Sequence, residues 1–297
     1  MRCRICGKDA KIKLKRHNIK LCNNCFENFF IHQIQHTVEK YKLLKENEKL
    51  AVAVSGGKDS ITLLYAMHSL GFKPLAYFID LGIPKYSAYS RAVVETFCDE
   101  LGIKLHVEEL LAYNKTLPQI LEKTKRVSCS LCGSIKRYLM NKFAFENGYV
   151  IATGHHLDDM LVGIFSNLAN ANINGLSKFL PRLEYSEEFK LAAKIKPFYR
   201  TSEDEILLFH NLKNLPKVNY MCPFAVDANS LKLKEWFSKL DLFVPNMRFN
   251  FYFNFVSKIL PKLVSQKPEY NKCKHCGFPT GRNRDYCTFC VYIYGMK

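Results

Sequence analysis

The chain has 297 residues, in which 44 Lys and Arg against 27 Asp and Glu leave a formal net charge of +17. That length can bury a sizeable core, and the positive excess favours a polyanionic partner, most often nucleic acid, over a merely well-solvated surface. The opening residues lack the apolar stretch of a secretory signal, and the most apolar run, residues 243–261, is interrupted by Arg248 and Lys258. We therefore expect no membrane span and a cytoplasmic protein, in which twelve cysteines indicate metal or redox chemistry more than disulfides.

Strand and helix patterns alternate through the middle of the chain. The segments KLAVAVS, PLAYFID, KLHVEEL and YVIATGH read as strands, and residues 87–102 and 134–148 between them read as amphipathic helices closed by glycine. This alternation predicts an α/β fold with a parallel sheet covered on both faces. Further helical runs are predicted at residues 29–44, 231–240 and 249–263.

The composition divides the chain into four units. We predict an N-terminal zinc module, a catalytic α/β domain, a helical segment and a C-terminal zinc module, at residues 1–30, 31–225, 226–268 and 269–297.

Each end of the chain carries four cysteines in two C-x2-C pairs. The quartets are Cys3, Cys6, Cys22 and Cys25, and Cys273, Cys276, Cys287 and Cys290. Each is a complete ligand set for one Zn2+ at ribbon-like spacing, with a redox role as the weaker alternative. Segments this short need the metal to fold. The basic stretch KIKLKRHNIK in the first module, and Arg282 and Arg284 in the second, suit RNA phosphates, although both modules could simply staple the chain ends.

A glycine turn directly follows the first strand of the predicted sheet. It reads Ser55, Gly56, Gly57, Lys58, Asp59 and Ser60, which matches neither the Walker A nor the dinucleotide pattern. Adjacent glycines let backbone amides approach an anion, and the helix beginning near Asp59 points its positive end at the same place. Ser55 and Ser60 add hydroxyl donors and Lys58 adds charge. The turn therefore predicts a phosphate site more strongly than an ordinary tight turn.

A second motif, TGHHLDD at residues 153–159, lies where a later strand ends and a helix begins. Gly154 allows close approach of a nucleotide, and Asp158 or Asp159 could cap the helix or hold Mg2+ against phosphate oxygens. We favour Asp159 as the functional carboxylate. Adjacent histidines point in different directions, so we place neither in a metal site.

Three further cysteines, Cys129, Cys132 and Cys222, lack a fourth ligand, since Cys98 lies on the apolar stripe of a predicted helix and reads as a core residue. Three thiolates are too few for structural zinc. They suit a [4Fe–4S] cluster with one open iron, or a persulfide resolved by disulfide exchange.

One turn beyond Cys132, Lys136 shares its side of the helix, and Arg137 follows it. Both could contact ATP phosphate or an RNA backbone, or lie on a solvated face. We favour Lys136 as the functional residue.

The motif SGGKDS resembles the PP-loop of the ATP pyrophosphatases. The motifs of the whole chain together resemble the TtuA branch of the TtcA/TtuA tRNA 2-thiolation family. These motifs are the zinc knuckles, SGGKDS, C-x2-C-G, TGHxLDD and C-P, with the segments FIDLGIPKYS, CGSIKRYLMNK and KPFYRTSEDE. This resemblance implies a PP-loop core (adenine nucleotide alpha hydrolase-like), with Ala53 and Ile79 also lining the nucleotide pocket. His156, where the branch usually has asparagine, and the NLANAN stretch depart from it.

The resemblance further implies a tRNA uridine 2-sulfurtransferase. ATP would adenylate the C2 oxygen of a tRNA uridine, in the first place the T-loop 5-methyluridine, with Asp159 and Lys136 assisting. Sulfur on a [4Fe–4S] cluster held by Cys129, Cys132 and Cys222 would then replace the oxygen. It also implies a homodimer and a sulfur donor that is either a ubiquitin-like thiocarboxylate carrier or sulfide.

Several alternatives stay open at this stage. The same chemistry could serve a wobble uridine or a cytidine, and a PP-loop enzyme could transfer nitrogen without needing the three cysteines. A zinc-stapled RNA-binding protein with a vestigial ATP site and a DNA-binding factor are the non-enzyme alternatives.

Overall fold

The computed structural model describes residues 1–124, 128–224, 229–244, 246–263, 270–281 and 283–296. Its strands are β1 (Ile12–Leu14), β2 (Ile19–Leu21), β3 (Lys49–Val54), β4 (Leu75–Asp80), β5 (Leu105–Glu109), β6 (Tyr149–Ala152), β7 (Arg182–Leu183), β8 (Lys194–Ile195), β9 (Asn271–Lys272) and β10 (Pro279–Thr280). Its helices are α1 (Asn23–Lys40), α2 (Lys58–Ser69), α3 (Tyr86–Leu101), α4 (Leu117–Glu122), α5 (Ser128–Asn147), α6 (Leu157–Ala169), α7 (Glu203–Leu212), α8 (Asn229–Phe243), α9 (Met247–Asn254), α10 (Leu260–Leu263) and α11 (Thr288–Tyr294).

The central sheet has the strand order β5-β4-β3-β6-β8-β7, and only its edge strand β7 is antiparallel to its neighbour. The four predicted strands are β3, β4, β5 and β6, and the predicted helices are confirmed as α3 and α5. The chain leaves β3 toward β4 and β5 on one side and later continues through β6 on the other. Its topological switch point therefore lies between β3 and β6, where ligands bind in sheets of this kind.

Helices cover both faces of the sheet, because apolar residues of a parallel strand alternate between two buried faces. On β3, Leu50, Val52 and Val54 join a core shared with α1, α2, α3 and α7. Ala51, on the opposite face, packs with Phe143 of α5. The result is the α/β class that the sequence predicts.

The modules at the two ends each contain a small antiparallel pair, β1 with β2 and β9 with β10. Between the sheet and the second module, α8 and α9 pack on α6 around Phe237, Phe249 and Tyr252. The predicted domain boundaries at residues 225/226 and 268/269 lie outside the described residues, as does Arg282. The division into four units therefore stays a prediction. Among the described residues, no helix combines the length and apolar character that crossing a membrane requires.

Candidate active site

The predicted phosphate loop lies at the carboxyl end of β3. Ser60 organises it, since its hydroxyl oxygen accepts a hydrogen bond from the Ser55 backbone N–H at 3.1 Å and its hydroxyl donates to the Gly57 carbonyl at 3.0 Å. Helix α2 begins at Lys58, immediately after the second glycine. The loop therefore presents a free helix N-terminus, whose unpaired amides favour anions.

Two glycines are required by the close packing of this loop. Gly56 has φ = +77°, and a Cβ there would approach Val218 Cγ2 to 2.8 Å. A Cβ on Gly154 would come within 3.1 Å of the Asp59 backbone carbon. The TGHHLDD segment therefore lies directly against the phosphate loop.

A cavity of about 390 Å3 opens at this switch point. Nine of the predicted site residues line it, namely Ala53, Ser55, Gly57, Asp59, Ser60, Ile79, Lys136, Gly154 and Asp159. Gly56 and Lys58 do not line it. The structure thus brings the nucleotide residues predicted from the loop, the second strand end, α5 and the TGHHLDD segment to one place.

The TGHHLDD segment caps helix α6. His156 is fully buried, and its Nδ1 accepts a hydrogen bond from the Asp158 backbone N–H at 3.3 Å. In return, a carboxylate oxygen of Asp159 accepts one from the His156 backbone N–H at 3.2 Å. His156 is therefore the N-cap residue of α6. Asparagine is also a favourable N-cap residue, which explains why histidine can replace the asparagine that is usual at this position.

A chain of charged groups connects the phosphate loop to Asp159. Lys58 Nζ lies 2.8 Å from both Asp59 and Glu203, and Lys234 Nζ lies 2.6 Å from Asp159 and 3.4 Å from Glu203. Burial disfavours the charge on each lysine, but the carboxylates outweigh it and raise the pKa of both Lys58 and Lys234. Glu203 therefore lies between two cations that are fixed in position beside the cavity.

Asp158 has a different role from its neighbour. Its carboxylate lies 2.6 Å from Arg248 and accepts a hydrogen bond from the Glu203 backbone N–H at 2.7 Å. Burial opposes its ionisation, yet the contact with the His156 imidazole and the charge of Arg248 hold the pKa of Asp158 at about 2. Asp158 fixes α6, α7 and α9 together, whereas Asp159 faces the cavity.

The three cysteines without a fourth partner lie beside the cavity. Cys129 is exposed and its thiol contacts the Phe224 carbonyl at 3.5 Å, while Cys132 and Cys222 are half-buried in the apolar cluster around α5. Burial raises the pKa of Cys132, Lys136 opposes this, and the nearby Cys222 and Cys129 add to it. Cys222 and Cys129 are therefore both close enough to Cys132 to act on its thiol electrostatically.

Tyr86 links the thiols to the cavity. It lines the cavity and packs in the same cluster as Cys132 and Cys222. Burial, and then the charge of Cys222, raise the pKa of Tyr86.

The two terminal quartets have the geometry of metal sites. In each, all four sulfur atoms lie within 4.8 Å of one another. Around Zn2+ at the usual Zn–S distance, tetrahedral thiolates are separated by about 3.8 Å. Cys6 and Cys22 are 3.6 Å apart, and Cys276 and Cys287 are 3.8 Å apart. The quartets therefore fit one zinc ion each.

The residues that sequence reasoning missed are Tyr86, Glu203, Lys234 and Arg248. Glu203 lies inside the Ser202–Glu205 capping box, so its place at a helix start was readable from the sequence. Its partner Lys234 comes from a predicted helix with no motif of its own. Only the packing of α8 on α6 brings it to the site.

The sheet order, the glycine loop and the cavity at the switch point define a nucleotide-binding α/β enzyme fold of the PP-loop class. The family model of the PP-loop domain matches residues 27–219, which is most of the chain.

Comparison with characterised proteins narrows this class. The chain is 36% identical over 293 residues to the tRNA-5-methyluridine(54) 2-sulfurtransferase of Thermus thermophilus, covering 98% of this chain and 90% of the relative. It is 35% identical to the enzyme of the same name from Thermotoga maritima, covering 98% and 95%. The chain belongs to this family of PP-loop tRNA thiolation enzymes, which confirms the resemblance inferred from its motifs.

A solved structure agrees with this assignment. The U34-tRNA thiolase NcsA of Methanococcus maripaludis, solved with its [4Fe–4S] cluster, superposes with a TM-score of 0.84 at 25% identity, over 100% of this chain and 96% of that one.

Proposed function

We propose that this protein is an ATP-dependent tRNA 2-thiouridine synthase that replaces the C2 oxygen of a tRNA uridine with sulfur. Relatives at 35–36% identity are named tRNA 2-sulfurtransferases, and their names give 5-methyluridine at position 54 as the target. The wobble-uridine thiolase is less similar, at 25% identity. We therefore propose the T-loop 5-methyluridine as the substrate ahead of a wobble uridine or a cytidine.

The observation that carries this proposal is the arrangement on helix α5. Lys136 lines the nucleotide cavity, and one turn earlier Cys132 lies among the three thiols. A base activated in the cavity would therefore lie next to a sulfur-handling site. A nitrogen-transferring enzyme or a binding protein with a vestigial ATP site would need no such arrangement.

The chain's own residues would position ATP for adenylation of the base. The amides of the loop and the start of α2 would bind the pyrophosphate portion, leaving the α-phosphate open to attack by the C2 oxygen of the uridine. Lys136, which lines the cavity, would stabilise charge developing on the α-phosphate. Asp159, which also lines the cavity, would orient the nucleotide.

Mg2+ would bind at Asp159 by oxygen ligation shared with the phosphates. Lys234, 2.6 Å from that carboxylate, would compete with the ion for it. We therefore propose that Mg2+ enters together with ATP.

The trio Cys129, Cys132 and Cys222 fits a [4Fe–4S] cluster better than a single ion. Their sulfurs do not form one of the compact groups found among the described residues, in contrast to the terminal quartets. Thiolates that bind different irons of one cluster lie farther apart than thiolates that share one zinc. When bound, such a cluster would supply an open iron that holds the incoming sulfur.

The terminal metals, the sulfur donor and the assembly complete the proposal. The terminal quartets would each hold a structural zinc ion. The sulfur donor would be sulfide or a ubiquitin-like thiocarboxylate carrier, the assembly a homodimer, and the compartment cytoplasmic.

The test is anaerobic reconstitution followed by nucleoside analysis. The protein, loaded with iron and sulfide, is incubated with ATP, sulfide and unthiolated tRNA carrying 5-methyluridine at position 54, as named for the relatives. We expect AMP release and 5-methyl-2-thiouridine by mass spectrometry. Replacing the target uridine by cytidine in the tRNA should remove the product, whereas replacing the wobble uridine should not.

Two variants serve as controls for the site. Cys222→Ala should lose the thiolated product, and Lys136→Gln should lose AMP release as well. Full product formation by Cys222→Ala, or unchanged 2-thiouridine in tRNA treated with the cluster-loaded wild type, would contradict the proposal.

A further inference from the structure

Two tyrosines stack on each other at the surface beside the active site. Tyr89 of α3 and Tyr220, in the chain that follows α7, have ring centroids 4.6 Å apart and planes inclined by 24°. Tyr89 is 47% exposed, Tyr220 is 58% exposed, and Met221, which follows it, is 80% exposed. By comparison, the stacked rings of Phe30 and Phe209 are both buried in the core. A ring that is covered on one face and still half exposed leaves its other face open to water, so this pair does not serve the core.

The pair lies where α3 and the segment that carries Tyr220 meet the phosphate loop. The Val218 backbone N–H donates a hydrogen bond to the Gly56 carbonyl at 2.9 Å. A Cβ on Gly56 would approach the Ser90 carbonyl oxygen to 3.1 Å, so α3 contacts the loop at the same glycine. Tyr89 directly precedes Ser90, and Tyr220 is two residues beyond Val218. Backbone contacts therefore fix both tyrosines next to the phosphate loop.

The tyrosine pair is outside the nucleotide cavity, although its chain neighbours are inside it. Tyr86 and Ser90 of α3 line the cavity, whereas neither Tyr89 nor Tyr220 does. Tyr220 also precedes Cys222, one of the three cysteines beside the cavity, by two residues. Tyr86 and Cys222 pack in one apolar cluster. The exposed pair thus joins the two segments that supply one wall of the cavity and one of its neighbouring thiols.

The two segments that hold the tyrosines carry positive charge only. Residues 81–94 and 206–224 contain Lys and Arg but neither Asp nor Glu. Lys85 is exposed and lies one turn before Tyr89, whose backbone N–H donates to the Lys85 carbonyl at 3.0 Å. Lys217 is likewise exposed, three residues before Tyr220. Aromatic faces flanked by cations are suited to stacking nucleobases while holding the adjoining phosphates.

We propose that Tyr89 and Tyr220 form a stacking platform for a base of the RNA next to the target nucleotide. This inference rests on the proposed tRNA substrate. Thiolation requires the target base to enter the cavity, so the nucleotides beside it stay outside and lose a stacking partner. The platform would replace that partner and hold the target base in register. ATP is the other source of a base, but its pocket is the cavity, which the two tyrosines do not line.

A double-mutant cycle between protein and RNA tests this proposal. Stacking of one base on aromatic side chains is worth about 5- to 150-fold in affinity. We expect Tyr89→Leu/Tyr220→Leu to weaken binding of unmodified tRNA by a factor in that range, with the KM for ATP and the iron content unchanged. The cycle is completed with two tRNAs, each lacking the base on one side of the target uridine. With one of them, the wild type and the leucine variant should bind equally, as fluorescence anisotropy of labelled tRNA would show.

The matched control is Tyr185→Leu. Tyr185 is also exposed and stacks on Phe145 with ring centroids 5.6 Å apart. It follows β7, at the other end of the sheet from β4 and β5, which α3 connects. This variant should bind every tRNA as the wild type does.

Two further variants separate stacking from folding. Tyr89→Phe/Tyr220→Phe keeps both rings and should bind tRNA as tightly as the wild type. If the double leucine variant does not fold, Tyr89→Leu alone, at an exposed position of α3, should still weaken binding and still lose its effect with the same base-deleted tRNA.

Equal tRNA affinity of the leucine variant and the wild type would overturn the proposal. So would a loss of affinity that persists with both base-deleted tRNAs, or a loss of iron at unchanged tRNA affinity, because the pair would then only brace the segment of Cys222. Thiolation lost with a protein sulfur donor but kept with sulfide, at unchanged tRNA affinity, would mark a protein-docking surface instead. Failure of the proposed function gives a different result, since the wild-type protein would form no 2-thiouridine while the binding cycle could still be measured.

Discussion

The two terminal cysteine modules share a ligand pattern but differ in what they pack against. At the N-terminus, Cys3, Leu14 and Leu21 belong to the main core, together with α1, α2, α7 and one face of the sheet. At the C-terminus, Cys273 and Phe289 belong to a second cluster with α5, Cys132 and Cys222. One motif therefore supports two different parts of the molecule: the core in one case and the catalytic helix in the other.

The contacts of the C-terminal module are with the catalytic helix itself. Tyr138 of α5 stacks on Phe289 with ring centroids 3.9 Å apart, and it also meets Phe278 edge to face. Because Cys129, Cys132 and Lys136 lie on the same helix, the position of all three depends on that module.

The largest effect should come from Cys276→Ser. Loss of this ligand should release zinc from the C-terminal module and free α5 from its packing. A displacement of about 1 Å at a reacting centre costs on the order of 100-fold in rate, so we expect thiolation to fall at least that far. Zinc should drop from two ions to one, for the two quartets present. Zinc analysis and initial rates check this, and full activity with one zinc lost would contradict the coupling.

The corresponding variant of the N-terminal module is Cys6→Ser. Cys6 is exposed, so its replacement removes a ligand without leaving a core cavity. We expect one zinc to be lost and the melting temperature to fall. The rate at a temperature where the variant is folded should stay within about threefold of the wild type, under 1 kcal/mol of barrier. A loss of activity as large as that of Cys276→Ser would contradict the claim that only the C-terminal module positions the catalytic helix.

The electrostatic link between the N-terminal module and α7 gives the next effect. Glu205 is buried, 2.7 Å from His17 and 3.4 Å from Arg16. Removing one partner from such a group costs about 3–5 kcal/mol, so Glu205→Gln should destabilise the protein by that order at neutral pH. Urea unfolding measures it. The exposed pair of Lys239 and Glu235 supplies the control, since Glu235→Gln should leave the free energy of unfolding nearly unchanged.

The stability difference between the wild type and Glu205→Gln should depend on pH in a defined direction. Burial opposes ionisation of Glu205, but His17 and Arg16 outweigh it, so its folded pKa lies below the ordinary value. The stability due to this carboxylate is present above the unfolded pKa of about 4.3 and is lost as pH falls through the lower folded value. The gap between wild type and Glu205→Gln should therefore narrow below about pH 4. A gap independent of pH would show that packing, not charge, is what the substitution removes.

The sequence was most informative where one segment carries the whole feature. The loop at Ser55–Ser60 and each quartet are local patterns, and the apolar runs of β3, β4 and β6 identify a parallel sheet without reference to the rest of the chain. The two-residue strands β7 and β8 were not predicted, because two residues are too few to show a periodicity.

What the sequence could not supply is the pairing of distant charges. Glu203 meets Lys58 across 145 residues, and Lys234 meets Asp159 only because α8 packs on α6. Such contacts depend on the order of strands and the seating of helices, which no local spacing encodes. The charged surroundings of Asp159 are therefore a finding of the structure, whereas Asp159 itself was readable from its motif.

The smallest effect should come from Cys98→Ala, which separates loss of a cysteine from loss of a metal. Cys98 is 1% exposed and shares the main core with Cys3, but no other cysteine belongs to its helix, α3. Burial, with a smaller contribution from Asp99, raises the pKa of its thiol to about 11, so it stays neutral and apolar in character. Replacing it should cost about 1 kcal/mol of stability, with zinc, iron and thiolation rate unchanged. A drop in either metal would mean that Cys98 is a ligand, and the losses seen for Cys6→Ser and Cys276→Ser could then no longer be assigned to separate modules.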